Sequence, residues 1–82
     1  MFMNTNDAVA KRIIKLLREK NITRYKLEQR SGVYHGAMER ILNGKNKTVT
    51  LATIYKLANG FEMTIYEFLD DDVFRSENLE IE

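Results

Sequence analysis

The sequence of 82 residues predicts a compact all-α domain of five helices, in which the second and third form a helix-turn-helix. Apolar residues recur at intervals of three and four along most of the chain, which is the period of an amphipathic helix. Glycine or asparagine, which end helices readily, separates several of these periodic segments. The length suits one small domain, and no repeat or low-complexity linker divides the chain.

The first predicted helix spans residues 7–20. Ile13 and Leu16 lie on one helical face, and most of the lysines and arginines of this segment lie off that face. Thr5 or Asn6 is expected to cap its amino-terminal end, because both side chains accept hydrogen bonds from free backbone amides there. The segment therefore reads as an amphipathic helix that covers a core.

The second and third predicted helices are short. Thr23 is expected to cap the second helix, which stops at Gly32. The third spans residues 34–42, with Met38 and Ile41 three residues apart on its apolar face. Two short helices joined by a tight turn that contains glycine are the helix-turn-helix pattern.

The fourth predicted helix starts at Thr50 and ends near Gly60. The fifth runs from Thr64 to about Leu69. Thr64 and Glu67 have the spacing of a capping box, in which each side chain binds the backbone amide of the other residue. The second half of the chain is therefore also expected to be helical.

The helical period is lost after the fifth helix. We therefore predict a helical domain over residues 1–72 and an acidic carboxyl-terminal tail over residues 73–82. Alternating residues 78–82 indicate either a short strand or a disordered tail. Val73 and Phe74 would serve either self-association or packing of the tail onto its own domain.

Charge is unevenly distributed along the chain, although the net charge is only +1. Residues 1–56 contain 12 Lys and Arg and 4 Asp and Glu, whereas residues 57–82 contain 1 Arg and 8 Asp and Glu. A basic body can face a polyanion such as a nucleic acid. Ordinary solvated helix faces explain the same counts equally well.

Several function classes lack support in the sequence. Without cysteine there is no disulfide, thiolate zinc site or cysteine nucleophile, and His35 is the only histidine. Glycine-rich phosphate loops and nucleophile motifs are also missing, so we expect no enzyme activity, cofactor, metal or small-molecule substrate. The amino-terminal residues do not resemble a signal peptide, and no apolar run is long enough to span a membrane. A cytoplasmic location without membrane binding is therefore expected.

One ordered set of residues carries a resemblance to a known family. It consists of Ile22, Thr23, Leu27, Gly32, Val33, Met38, Ile41, Asn43, Gly44, Lys45, Leu51, Ile54, Leu57, Ala58, Met63, Thr64, Ile65, Glu67 and Phe68. This set resembles the Cro/repressor-type (Xre) helix-turn-helix family of bacterial and phage DNA-binding domains, over about residues 8–69. The resemblance implies a lambda-repressor-like fold whose third helix enters the major groove of double-stranded DNA.

The chain departs from the family pattern within the helix-turn-helix. Arg24 stands where the family usually has glutamine, and Glu28 stands where a small residue is usual. Tyr34 replaces the serine or threonine that often caps the third helix. These departures concern the local geometry of the site more than the fold.

The resemblance also implies which residues contact DNA. The base-facing candidates are His35, Gly36, Glu39 and Arg40, and the phosphate-contacting candidates are Arg24, Tyr34, Asn43, Lys45 and Lys47. Arginine suits a bidentate contact to guanine, and glutamate accepts a hydrogen bond from cytosine. Glycine at position 36 allows close approach of the backbone to the bases or leaves space for a thymine methyl group. Alternatively, Gly36 is a tolerated surface glycine, and the charged candidates are solvated or, for Arg40, bind phosphate.

The sequence thus favours a sequence-specific DNA-binding transcriptional regulator, most simply a repressor that binds its operator as a homodimer. The alternative is an antitoxin or another protein-interaction module, whose acidic tail binds a partner protein.

Overall fold

The computed structural model describes residues 3–46 and 48–79 of the chain. In these residues the chain forms five helices, followed by two 3₁₀ turns, Asp72–Phe74 and Ser76–Asn78. The predicted all-α, five-helix class is confirmed. No helix in the described part is long and apolar enough to cross a membrane. The helices are α1 (Thr5–Lys20), α2 (Arg24–Ser31), α3 (His35–Leu42), α4 (Leu51–Gly60) and α5 (Ile65–Leu69).

Most helix ends follow the capping signals of the sequence. The side chains of Thr23, Thr50 and Thr64 cap α2, α4 and α5, and the capping box of Thr64 and Glu67 is complete. Tyr34 occupies the cap position of α3 and makes no capping hydrogen bond with its side chain. The second, fourth and fifth helices therefore begin where the sequence places them.

The prediction for the start of α1 was wrong. Asn4, and not Thr5 or Asn6, is the cap, and its side chain accepts a hydrogen bond of 2.8 Å from the Asp7 amide. Asn6 is instead fully buried, and its side-chain amide donates to the carbonyl oxygen of Ile41 at 3.1 Å. Asn6 does not cap the helix because its side chain makes a long-range hydrogen bond in the interior. The helix therefore starts earlier, with Asn4 as its cap.

The core is formed by side chains of all five helices. Its largest fully buried apolar side chains are Phe61, Phe68, Ile13, Leu27, Met38 and Leu57. Gly60 lets α4 approach α2 closely, because a Cβ atom at this position would lie 2.8 Å from both Leu27 Cδ1 and Ser31 Cβ. The α2–α4 contact therefore has no room for a larger residue.

A tight turn joins α2 to α3. Gly32 has a φ of 78°, in the left-handed region that glycine adopts without strain, and its amide donates to the Glu28 carbonyl. Val33 is buried, and its amide donates to Ser31 Oγ at 3.1 Å. The turn is thus held by a buried anchor and by hydrogen bonds at both residues.

Two buried side chains set the rotation of α3 about its axis. Met38 is 0% exposed and Ile41 is 2% exposed, so one face of this eight-residue helix belongs to the core. His35, Glu39 and Arg40 are exposed. At 3.6 residues per turn, burial of the first pair fixes which side chains face away from the protein.

A buried arginine on α1 holds the carboxyl-terminal end of α5. Arg12 Nε donates to the Phe68 carbonyl at 2.7 Å, and Nη2 donates to the Glu67 carbonyl at 2.9 Å. Its Nη1 lies 3.1 Å from Asp71 Oδ2, which also accepts from Lys15 Nζ at 2.8 Å. The guanidinium therefore satisfies carbonyl groups that the end of a helix leaves unpaired.

The segment after α5 packs onto its own domain. The Phe74 ring lies 6.1 Å from that of Phe68 and contacts the core. Met3 and Leu79 form a single parallel bridge, which is the only β pairing in residues 3–46 and 48–79. Of the alternation predicted over residues 78–82, the last three residues lie outside the described residues.

Asp71→Asn should lower the free energy of unfolding by about 1–3 kcal/mol, because buried Arg12 then loses its only carboxylate partner among the described residues. Asp72→Asn is the matched control. Its carboxylate is 85% exposed and, among the described residues, pairs only with Arg75, so we expect a change within about 0.5 kcal/mol. Urea denaturation at neutral pH measures both changes. Equal losses of unfolding free energy in the two variants would contradict the stabilising role of the Asp71 carboxylate.

The Asp71 carboxylate also predicts how the stability of the fold depends on pH. The hydrogen bond from Lys15, and then that from the Val73 amide, hold the pKa of Asp71 below its ordinary value. A carboxylate with a lowered pKa stabilises the fold above the ordinary pKa of about 3.9, and this contribution is lost as the pH falls through the folded-state value. The stability difference between wild type and Asp71→Asn should therefore be constant above about pH 5 and shrink below about pH 4.

Candidate nucleic-acid interface

The four base-facing candidates lie on the exposed side of α3. His35, Glu39 and Arg40 are exposed, and Gly36 is half-buried. The structure divides them into two groups. His35 and Glu39 contact charged side chains of α2, whereas Arg40 contacts Tyr34 at the start of its own helix.

Arg24 lies between two carboxylates and is not free in this structure. Its Nε donates to Glu28 Oε2 at 3.0 Å, one turn along α2. Its Nη2 lies 3.2 Å from Glu39 Oε1 on α3, and this buried nitrogen makes an ion pair but no hydrogen bond with the residues that the structure describes. The phosphate-contact candidate on α2 is thus tied electrostatically to a base-contact candidate on α3.

Glu28 joins this group to the first residue of α3. His35 Nδ1 lies 3.2 Å from Glu28 Oε1 and 3.1 Å from Oε2. The Glu28 side chain is only 12% exposed, whereas that of His35 is 72% exposed. A carboxylate at this place also favours α3 electrostatically, because the amino-terminal end of a helix carries partial positive charge.

Burial and hydrogen bonding act in opposite directions on Glu28. Burial raises the pKa of its carboxyl group, but the hydrogen bonds from Arg24 and His35 outweigh burial and bring the pKa below its ordinary value. Glu28 is therefore a carboxylate at neutral pH. In that state its oxygens only accept hydrogen bonds.

Tyr34 and Arg40 form the second group. Arg40 Nη2 donates to Tyr34 Oη at 2.9 Å, and the guanidinium carbon lies 5.9 Å from the centre of the tyrosine ring. Gly36 provides the space for this arrangement, because a Cβ atom there would lie 3.1 Å from Tyr34 Cε2. The glycine inside this short helix thus has a local steric explanation, which does not depend on contact with DNA.

The loop after α3 carries the remaining phosphate-contact candidates. Asn43 and Lys45 are exposed, and Lys47 lies outside the described residues. The amides of Lys45 and Asn46 both donate to the Arg40 carbonyl, at 3.0 and 3.1 Å. The loop therefore folds back over the end of α3 and keeps Lys45 near the exposed face of that helix.

Two polar residues that organise the site were missed as site residues in the sequence. Asn6 holds the end of α3 through Ile41 and lies 3.4 Å from the Asn46 side chain, and Glu28 links α2 to α3. The only signal for Glu28 was its position, where the family usually has a small residue. Nothing in the local sequence distinguishes Asn6 from an ordinary helix cap.

This surface offers hydrogen-bond donors, acceptors and charges on the exposed side of a short helix. Among residues 3–46 and 48–79, no group of three or more histidine, cysteine or acidic side chains is arranged to hold a metal ion.

Comparison with known proteins identifies a family. The model of a family described as the Cro/C1-type HTH DNA-binding domain matches residues 12–72, which is most of the chain. Neither the curated proteins nor the solved structures gave a match.

Substitution of the two helical glycines by alanine should have opposite effects on stability. Gly60→Ala should destabilise the fold by about 1–3 kcal/mol, because the new methyl group meets Leu27 and the less adaptable Ser31. Gly36→Ala should be neutral or stabilising by up to about 1 kcal/mol, since the exposed Tyr34 ring can move. Thermal unfolding of both variants tests this contrast. A loss of stability in Gly36→Ala as large as that in Gly60→Ala would contradict the expectation that the exposed Tyr34 ring can move away from the new methyl group.

Proposed function

This chain belongs to the Cro/C1-type HTH DNA-binding family and is therefore a DNA-binding regulator and not an enzyme; we propose that it is a sequence-specific transcriptional repressor. In this proposal α3 enters the major groove of an operator, and repression follows from occupancy of promoter DNA. The cytoplasm, where bacterial DNA lies, is the proposed location.

The observation that carries the proposal is the exposed side of α3. Burial of Met38 and Ile41 turns His35, Glu39 and Arg40 outward, on a helix short enough to lie within the groove. A major groove about 12 Å wide admits one α-helix. Side chains with fixed donors and acceptors are what readout of base edges requires.

The proposed base contacts are made by His35, Gly36, Glu39 and Arg40. Arg40 is proposed to exchange its contact with Tyr34 for a bidentate contact to guanine O6 and N7. Glu39, which lies beside Arg24, is proposed to accept from the amino group of cytosine. Gly36 would bring the helix backbone close to the bases.

The proposed phosphate contacts flank this helix. The DNA backbone on both sides of the groove would be bound by Arg24, Tyr34, Asn43, Lys45 and Lys47. These contacts would set the register of the protein on the DNA. Exposure of Asn43 and Lys45 in a loop beside α3 supports this assignment. Such contacts make affinity strongly dependent on salt but carry little sequence information.

A homodimer on a two-fold symmetric operator is the proposed assembly. The two recognition helices would then occupy half-sites about 34–36 Å apart. Exposed apolar side chains on α4 and α5, among them Tyr55, Tyr66 and Leu69, support an interface on these helices. The proposed division has a DNA-binding domain over residues 1–72 and an acidic tail over residues 73–82, whose Phe74 packs back onto the domain.

In vitro selection of bound DNA, followed by footprinting on the selected site, tests the function directly. The proposal predicts one enriched motif with two-fold symmetry and protection of two major-groove segments one helical turn apart. Recovery of no motif, with binding that depends only on salt, would contradict sequence-specific regulation.

Arg40→Ala and Lys45→Ala should weaken DNA binding in different ways. Arg40→Ala should cost about 1–3 kcal/mol on the selected site and relax the preference at one base position. Lys45→Ala should weaken binding to selected and random DNA alike, and should reduce the slope of log affinity against log salt by about 1. Titrations at several salt concentrations separate the two effects. Equal losses on both DNAs for Arg40→Ala would reassign it to phosphate.

The proposed interface predicts that the end of the chain is dispensable for dimerisation. Deletion of residues 75–82, which spares Phe74 and its contact with the core, should leave a folded dimer in sedimentation experiments. Tyr66→Ser should give a folded monomer, because this side chain is exposed and contributes little to the stability of the domain. A monomer after the deletion would instead place the interface in the tail.

A further inference from the structure

Glu28 lies on α2, the first helix of the helix-turn-helix, and its carboxylate also contacts the second, α3. Its side chain is 12% exposed, and it binds both Arg24 on its own helix and His35 on the recognition helix. His35 is exposed, with its Nδ1 atom turned toward Glu28. The Glu28 carboxylate thus binds one nitrogen of an imidazole ring that is otherwise exposed.

The contact fixes the position of the proton on the histidine ring. Glu28 is a carboxylate and has no hydrogen to donate, so the hydrogen between the two groups belongs to His35 Nδ1. A neutral imidazole carries one N–H group, and its second nitrogen is then an acceptor. With Nδ1 protonated and bound to Glu28, His35 Nε2 is therefore a hydrogen-bond acceptor.

We propose that Glu28 is a specificity-determining residue, which holds His35 as an Nε2 acceptor directed at the amino group of a base. In the major groove, only adenine N6 and cytosine N4 offer such a donor, whereas guanine and thymine offer acceptors at the corresponding edges. The inference rests on the proposed function, in which His35 faces base edges. Glu28 touches no DNA in this account and acts through the histidine.

Removal of the carboxylate charge reverses the preference. In Glu28→Gln the side chain keeps its shape, but its amide group can donate a hydrogen bond to His35 Nδ1. His35 is then free to carry its proton on Nε2, and this N–H group can donate to guanine O6 or N7. The substitution should therefore change the base that the protein prefers at one position, and not only its affinity.

The tautomer is directly measurable, because His35 is the only histidine of the chain. A long-range ¹H–¹⁵N spectrum of the free protein at about pH 8, above the range in which histidine ordinarily gains its second proton, contains signals of one imidazole. Wild type should show protonated Nδ1 and unprotonated Nε2. Glu28→Gln should show the Nε2–H tautomer, and Glu19→Gln, which removes an exposed carboxylate from α1, should match wild type. A wild-type ring with its proton on Nε2 would overturn the proposal without recourse to any variant.

Selection of bound DNA at the same pH tests the consequence. His35→Ala identifies the base position that the histidine reads, since only that position loses its preference. At this position wild type and Glu19→Gln should prefer adenine or cytosine. Glu28→Gln should move the relative preference toward guanine by roughly fivefold, the value of one hydrogen bond of about 1 kcal/mol. Circular dichroism and thermal unfolding establish that each variant is folded.

The double variant His35→Ala/Glu28→Gln separates positioning from a structural role. If Glu28 acts through His35, Glu28→Gln should not change the preference at that position once the histidine is absent. A wild-type protein that selects a site, while Glu28→Gln leaves the position read by His35 unchanged, would overturn this inference alone. A wild-type protein that selects no sequence would overturn the proposed function and this inference together.

Discussion

Burial of Met38 and Ile41 in the core is the constraint on which the functional surface depends. These two residues, three positions apart, fix the rotation of α3 about its axis, because a helix with one face in a close-packed interior cannot turn without exposing that face. The helical period then turns the polar residues Glu39 and Arg40 away from the core. The exposed side of α3, on which the proposed DNA contacts lie, is therefore positioned by the packing of this helix against the core.

The surroundings of α3 hold that rotation in place. The Gly32 turn sets the angle between α2 and α3, and buried Val33 anchors it. At the other end, the Asn6 side chain on α1 donates to the Ile41 carbonyl, so that each end of α3 is attached to a different part of the domain. Arg12 performs a similar function for α5, where it binds the carbonyls of Glu67 and Phe68. Short helices with few hydrogen bonds of their own depend on such tertiary contacts for stability.

The sequence predicted the features that are determined locally. The caps at Thr23 and Thr64 and the glycine turn depend on contacts within a few residues, and α2 and α5 begin where these signals place them. The start of α1 was misplaced because the Asn6 side chain donates a hydrogen bond to the carbonyl of Ile41, a residue 35 positions away. Burial of Arg12 was not predictable from the sequence, because its hydrogen-bond partners lie 55 to 59 positions away.

In the candidate site, too, locally determined features were predictable from the sequence and contacts between helices were not. Helical spacing and the family pattern indicate which residues of α3 face outward, and the structure has His35, Glu39 and Arg40 exposed. Their pairing was not predictable, because it requires the angle between α2 and α3. Arg24, Glu28, His35 and Glu39 form one charged group only after the turn brings the two helices together.

The most direct test of this account is a set of intermolecular nuclear Overhauser effects between ¹³C-labelled protein and an unlabelled DNA duplex that carries its selected site. We predict contacts from the His35 ring and the Gly36 α-protons to base protons of the major groove. The Met38 methyl group and the Ile41 side chain, which face the core, should give none. Contacts from α5 or the following 3₁₀ turns in place of α3 would contradict the central claim that core burial of Met38 and Ile41 selects the face that reads DNA.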